Sequence, residues 1–300
     1  MTAWSSAPWR AAAVAWLDQQ LAAAGSERTG EVEQPHLRPW ATVLSAPTTA
    51  GTVWLKAAAP ATAFEVALYG LLARRVPDRV LTPIAADPER GWLLLPDGGL
   101  SLGAQGAGAE SLVTALAEYG RLQRRLEPAV EEMLALGVPD MRPAVMVERF
   151  HEALAAAGGY PEVEALVPAV AGWCERLAAS PLLPSLDHND LHPWNILGGP
   201  RYYDWGDSVV AHPFAAMLVP LRMMRAGREA ARDAYLDVFA DLAPRAELVE
   251  TLELARRVAT IARALTWERA IRTAREQGEA VDDDWATAPR ETLAGLLEGG

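Results

Sequence analysis

Three hundred residues with 51% apolar content can bury a substantial core, which excludes a disordered chain. A net charge of −12 excludes a general nucleic-acid binder, because neutralising phosphates takes a basic footprint. The same charge suits a cationic small substrate or simply keeps the surface soluble.

The single cysteine, Cys174, rules out an internal disulfide and a thiolate zinc cluster. No run approaches the roughly 18 apolar residues of a membrane span. The first ten residues lack the basic-then-apolar layout of a secretory signal. A cytoplasmic protein with no membrane partner is expected.

In chain order, Trp9, Ala13, Trp16, Leu17 and Leu21 recur at helical spacing and predict a helix from Pro8 to Ala24. Leu37 to Leu44 and Gly51 to Lys56 read as strands joined by a loop from Ser45 to Ala50. A helix follows from about Thr62 to Arg75. Val80 to Ala86 and Gly91 to Leu95 read as a hairpin around Asp87-Pro88-Glu89-Arg90. Pro96-Asp97-Gly98-Gly99 is a cluster of breakers and the expected connector, giving units 1–97 and 98–300. Beyond it helices are predicted at Ala109 to Leu126, Ala144 to Ala157, Pro161 to Ala178, Phe214 to Met224, Glu229 to Leu242, Ala246 to Glu276 and Ala288 to Leu297. Asp282-Asp283-Asp284 reads as a solvated loop before the last of these.

The chemistry is concentrated between Leu186 and Asp207. Asn195-Ile196-Leu197 and Tyr202-Tyr203-Asp204 read as two strands of a hairpin around Gly198-Gly199-Pro200-Arg201. With Gly199-Pro200 as a two-residue tip, Leu197 pairs with Tyr202, Ile196 with Tyr203 and Asn195 with Asp204. Directly opposed residues share a face. One amide oxygen and one carboxylate would then meet at a point suited to a hard divalent cation, leaving Asp190 to address a substrate.

Upstream, Lys56 ends a predicted strand and is the only lysine in the chain, while Glu65 opens the following helix. A strand lysine, a helix carboxylate, a loop aspartate and a metal-binding hairpin are the working parts of a phosphoryl-transfer site.

The spacing His188-Asn189-Asp190-Leu191-His192-Pro193-Trp194-Asn195, followed by Asp204-Trp205-Gly206-Asp207, resembles the signature of aminoglycoside phosphotransferases and their choline-kinase-like relatives. The resemblance runs from about Arg38 to Phe214. It implies an α+β, two-lobed protein-kinase-like fold, with a small antiparallel-sheet lobe and a larger, mainly helical one. It further implies an ATP- and Mg²⁺-dependent kinase acting on a hydroxyl of a small molecule, such as an aminoglycoside, an amino sugar or a choline-like alcohol. Asp190 would be the catalytic base, Asn195 and Asp204 the metal ligands, and Lys56 with Glu65 the phosphate-clamping pair. Hydroxyls of Ser45, Thr48 and Thr49, in the loop after the first strand, would help cover phosphates, with adenine against Leu93 to Pro96.

Two stretches depart from the family pattern. Trp194 stands where members often carry glycine or another small residue. His212-Pro213-Phe214-Ala215-Ala216 stands where an Asp-Leu pair usually lies, so Asp207 or His212 is expected to support the catalytic loop instead. Trp267 is the tryptophan expected nearest a substrate. The competing reading is a catalytically silent nucleotide-binding scaffold of the same fold.

Overall fold

The computed structural model describes residues 3–276, 278 and 280–297 of the chain. They form two compact units, one of residues 1–99 with 269–282, the other of residues 100–268 with 283–300.

The first unit opens with helix α1 (Ala7–Ala23). Five strands follow: β1 (Glu33–Leu37), β2 (Ala41–Thr48), β3 (Gly51–Ala58), β4 (Ala85–Asp87) and β5 (Trp92–Pro96), with helix α2 (Phe64–Arg75) between β3 and β4. They build one antiparallel sheet in the order β1-β2-β3-β5-β4. Its core is the predicted stripe of α1: Ala13, Trp16, Leu17 and Leu21 pack with Leu44, Ala46, Leu55, Trp92 and Leu94. Trp16 and Trp9 both meet the Trp92 ring edge-on, at 5.6 and 6.3 Å between centroids. Aromatic edges prefer this geometry.

Strand limits differ from expectation in several places: β3 runs two residues past Lys56, and the strand expected from Val80 to Ala86 is confined to Ala85–Asp87. The strand expected from Leu37 to Leu44 is cut at Arg38-Pro39-Trp40, where Pro39 has no N–H to give a ladder and Arg38 N donates to Ala41 O. The loop expected from Ser45 to Ala50 shrinks to Thr49-Ala50, because Ser45, Ala46 and Pro47 continue the ladder opposite Trp54, Val53 and Thr52.

The second unit is mainly helical. Helices α3 (Ala109–Leu126), α4 (Val130–Ala135), α5 (Met146–Ala156), α6 (Pro161–Glu164) and α7 (Val167–Ala178) precede the polar segment. Helices α8 (Leu218–Met223), α9 (Arg228–Asp237), α10 (Arg245–Glu276, grouped with the first unit from Arg269) and α11 (Asp283–Ala294) follow it. Among them lie β6 (Asp140–Met141), β7 (Ser185–Asp187), β8 (Ile196–Leu197), β9 (Arg201–Tyr202) and β10 (Val209–Ala211). The central β10 runs parallel to β6 and antiparallel to β7. Asp283 and Asp284, expected in a loop, form the first turn of α11, where carboxylates favour the positive end of the helix dipole.

The buried face of helix α3 supports strand β7 and the 3-10 turn Pro213–Met217 that follows β10. Gln123 Nε2 donates to the carbonyls of Leu186 and Pro213, and Tyr235 of α9 donates to Gln123 Oε1 at 2.6 Å. Gly120 lets α9 come close: a Cβ there would lie 3.2 Å from the Tyr235 ring and 3.3 Å from that of Phe239. A satisfied buried network of this kind fixes one arrangement, because any unpaired member would cost dearly in an apolar interior.

Candidate active site

Strands β7 and β10 hold the two ends of the polar segment 188–208. His188, fully buried, anchors its start. The His188 backbone N donates to Tyr119 Oη of α3, its ring Nε2 bonds Tyr203 O at 3.0 Å, and its ring lies 4.7 Å from that of Trp205. Burial pushes its pKa down, so it is a neutral brace between two backbone segments.

Asn189 takes a left-handed conformation, φ 59°. Its N–H donates to Asp187 Oδ1, its Nδ2 donates to Thr266 Oγ1 of α10, and its carbonyl accepts from Arg263. A strained backbone persists where its surroundings over-determine it, and here three partners do. Buried Asp187 is itself pushed up to about 7 by desolvation, against the opposing pull of the Asn189 N–H and Arg263.

The strain delivers Asp190. Its Oδ1 receives Arg263 Nη2 at 2.9 Å, and its Oδ2 lies 3.3 Å from His192 Nε2. Asn195 Nδ2 donates to the Asp190 carbonyl at 3.0 Å. Desolvation alone would raise the Asp190 pKa. The His192 hydrogen bond and the Arg263 charge outweigh it and hold the carboxyl at about 2. His192 loses basicity to burial but gains more from Asp190, so its pKa is raised.

Arg263 was not legible in the sequence. Besides Asp190 it reaches the Asn189 carbonyl and Asp207 Oδ2, at 2.8 and 3.0 Å, and its guanidinium sits 5.1 Å from the Trp267 ring centroid. Three acceptors with fixed directions match its planar fork of donors. The only signal was helical spacing: Arg263, Thr266 and Trp267 fall three and four apart on one face of α10. Of the two residues expected to support the loop, Asp207 does so through Arg263 and Asn189. His212 does not: its ring bonds Ser180 Oγ and accepts from Phe214 N.

The hairpin register is one residue off the expected one. Ile196 pairs with Tyr202 and Leu197 with Arg201, around a three-residue turn in which Gly199 has φ 80°. Asn195 therefore faces Tyr203, whose N–H donates to its carbonyl, and does not oppose Asp204. Turn length sets register, and a three-residue turn shifts every pair by one. Asn195 sits in a 3-10 turn (Pro193–Asn195), while Asp204 leaves the ladder in a left-handed conformation, φ 65°. Paired strand positions thus do not carry the two residues; two turns do.

Asp204 is exposed, and its charge favours the protonated form of both His188 and His192, though burial still keeps the His188 pKa down. Asn195 is nearly buried, with its amide nitrogen committed to Asp190 O, which turns the amide oxygen elsewhere. One amide oxygen and one carboxylate fit Mg²⁺, which keeps waters and completes its shell with substrate phosphates. Among the described residues no group of three or more His, Cys, Asp or Glu side chains could cage a metal by itself.

In the first unit, Lys56 stands on β3 between Val43 and Leu93, and Glu65 lies in the first turn of α2. Lys56 Nζ is 2.8 and 2.6 Å from the two carboxylate oxygens of Glu65. The glutamate is buried, so the pair is desolvated on its acidic side. Ser45 does not belong to the β2–β3 turn but to strand β2. Thr48 ends that strand with its hydroxyl already used, donating to Gly51 O at 2.6 Å and accepting from Ala50 N. Thr49 bonds Ser26 and Glu27 N.

A model of the phosphotransferase enzyme family matches residues 48–248, a stretch holding Lys56, Glu65 and the whole segment 186–207. The chain belongs to this family. Among solved structures, choline kinase LicA from Streptococcus pneumoniae is similar at TM-score 0.64 and 16% identity, covering 95% of this chain and 99% of the other. An ethanolamine kinase from Plasmodium vivax gives 0.62 at 11% identity, over 89% and 82%. A type I macrolide 2′-phosphotransferase gives 0.60 at 16%, over 98% and 99%. At such identities the likeness is one of fold, the α+β protein-kinase-like fold. No curated protein matches in sequence. No helix among the described residues is long and apolar enough to cross a membrane.

Proposed function

We propose that this chain transfers the γ-phosphoryl group of ATP to a hydroxyl of a small molecule, with Asp190 as the base. The observation that supports this reading most is the state of Asp190. Its carboxylate is ionised at neutral pH, oriented by Arg263 on one oxygen and His192 on the other, and carried on a strained turn. Such a group orients an acceptor O–H and takes its proton late, once the new P–O bond has largely formed. The bond from the γ-phosphorus to the bridging oxygen breaks, ADP leaves, and the acceptor proton passes to Asp190. Little covalent work is asked of the protein, so positioning and electrostatics carry the rate.

In this reading Asn195 and Asp204 hold Mg²⁺, whose chemistry is to offset negative charge on the transferring group. Lys56, oriented by Glu65, holds phosphate. A lysine supplies a compact charge for this, whereas the rest of the basic residues are arginines. The Thr48 hydroxyl and the Thr49 and Ala50 amides at the β2–β3 turn donate to Gly51 O, Glu27 O and Thr48 Oγ1, so phosphate contacts there would replace these bonds.

A coupled ADP-release assay over hydroxylated metabolites and antibiotics tests the proposal. Asp190→Asn should lower kcat by about a hundredfold or more, the usual scale of general-base loss. Asp204→Asn should raise the Mg²⁺ concentration needed for half-maximal rate far more than Asp282→Asn. Unchanged turnover in Asp190→Asn would remove Asp190 as base, and equal effects of the two other variants would remove Asp204 from the metal site.

A further inference from the structure

Trp194 is the residue that neither the family pattern nor the phosphoryl chemistry explains. It sits within the catalytic loop, between Asp190 and Asn195, and it is 54% exposed. A single exposed apolar side chain is ordinary on a protein surface. The fold nevertheless holds it firmly. Tyr203 Oη donates to the Trp194 carbonyl, and the ring lies on Gly103, where a Cβ would come within 2.6 Å of it. The segment that carries Gly103 is itself bound to the loop, Gly103 N donating to Pro193 O and Leu102 N to Ile196 O, at 2.9 and 2.7 Å. Trp194 is a fixed wall, not a stray surface side chain.

The wall borders a cavity of about 360 Å³ within the second unit, in the range of small-molecule sites. Leu112 and Leu116 of α3 and Pro220 and Met223 of α8 supply its apolar surface, and Met223 is also 47% exposed. His192, which hydrogen-bonds Asp190, lines the same cavity, so the space begins one imidazole away from the proposed base. Among the described residues that line it, Arg225 is the one side chain of fixed charge and none is acidic. In a chain with 39 acidic residues against 27 basic ones, an acid-free wall is the opposite of what a polycation would need.

We propose that this cavity takes the apolar body of the acceptor, an uncharged or weakly anionic hydroxylated molecule laid against Trp194 so that its hydroxyl reaches Asp190. The assignment rests on the phosphotransferase reading and names its substrate class. It also revises the expectation drawn from net charge: the overall charge of −12 would attract cations, but the residues lining the cavity offer them no carboxylate. An apolar pocket with a few polar groups recognises shape and a hydroxyl, and beside Arg225 an ammonium would find no carboxylate among the described lining residues.

The test uses the full chain in two arms. In the first, which needs no nucleotide, fluorescence titration with 1-anilinonaphthalene-8-sulfonate, an apolar anion, should show one saturable site. Trp194→Ala and Met223→Asp should each weaken it at least tenfold, and Leu183→Asp, at an exposed leucine outside the cavity lining, should not. Both target side chains are exposed, and far-ultraviolet circular dichroism verifies that the variants fold. In the second arm, Mg·ATP-dependent phosphorylation of phenylalkanols from benzyl alcohol to 4-phenylbutanol should rise in kcat/KM with chain length and exceed that of glucosamine. In Trp194→Ala the loss should appear in KM more than in kcat. Dye affinity equal in all variants, or faster transfer to glucosamine than to every phenylalkanol, would overturn the assignment while leaving the kinase reading in place. Failure of wild type to bind Mg·ATP would overturn both.

Discussion

At the scale of single residues the site is organised by charge on Asp190. A carboxylate removed from water would ordinarily retain its proton, and two neighbours reverse that outcome. Arg263 does so from a helix that begins more than fifty residues further along the chain. Because it also grips Asn189 and Asp207, it is a positioning residue: it acts on the acceptor through Asp190. Removing it should have two signatures. In Arg263→Gln, kcat/KM should fall by about ten- to a hundredfold, the usual cost of losing an outer support of a reactive centre. The Asp190 pKa should also rise from about 2 towards the ordinary carboxylate value. The acid limb of the pH–rate profile then moves to higher pH, and Arg263→Lys should move it part of the way back. A merely structural role would lower activity at every pH alike, so an unshifted acid limb would remove Arg263 from the mechanism.

At the scale of elements, the decisive features are short. Strands of two or three residues and 3-10 turns leave almost no periodicity, since alternation needs four or more positions to show. Hence β6, β7 and β10 were not expected, and the hairpin register was off by one. The αL residues were equally hidden. Asn and Asp tolerate φ > 0 better than other side chains, but Asn189 and Asp204 reach it because neighbours hold them there.

His212, in the stretch where the family usually has an acid, serves its own turn and not the loop. Its Nδ1 accepts from Phe214 N and caps the 3-10 turn Pro213–Met217, leaving Nε2–H to donate to Ser180. Desolvation lowers its pKa from 6.5 to about 3, so folding favours the neutral ring. An unfolded chain takes up this proton near pH 6.5 and the folded one only near pH 3. The stability His212 contributes is therefore present above pH 6.5 and is lost as pH falls through about 3. In His212→Asn, whose amide oxygen can cap the same N–H, the fall of Tm between pH 7 and pH 4 should be shallower than in wild type. Parallel Tm curves would show that His212 does not titrate as its burial requires.

At the scale of the molecule, the fold divides its labour between units. The first is a sheet stiffened by the tryptophans of α1, with Lys56 and Glu65 locked together. The second is a helical body in which α3, α9 and α10 support one polar segment. Mg·ATP that binds the folded chain alone stabilises it by mass action, by about 2.7 kcal/mol at a hundredfold excess over Kd. For a chain of this size that corresponds to a rise in Tm of about 5 °C. Thermal melts with Mg·ATP, with ATP plus EDTA and with Mg²⁺ alone should show the full rise only in the first. An equal rise without metal would disconnect nucleotide binding from the Asn195–Asp204 site.

By itself the sequence determined the fold class, the extent of α1, α3 and α10 to within a residue or so, and the identity of the polar loop. The long amphipathic patterns and the spacing from His188 to Asp207 are local, and local patterns survive in one dimension. Lys56 and Glu65 were also within reach, being nine residues apart at a strand and a helix start. Tertiary structure decided the rest. Arg263, Thr266 and Tyr119 meet the polar loop across more than sixty residues of chain, and the Trp194 cavity is assembled from α3, the loop and α8. Side chains so far apart carry no mark of their partner; only packing brings an ordinary arginine to a carboxylate that would otherwise hold its proton.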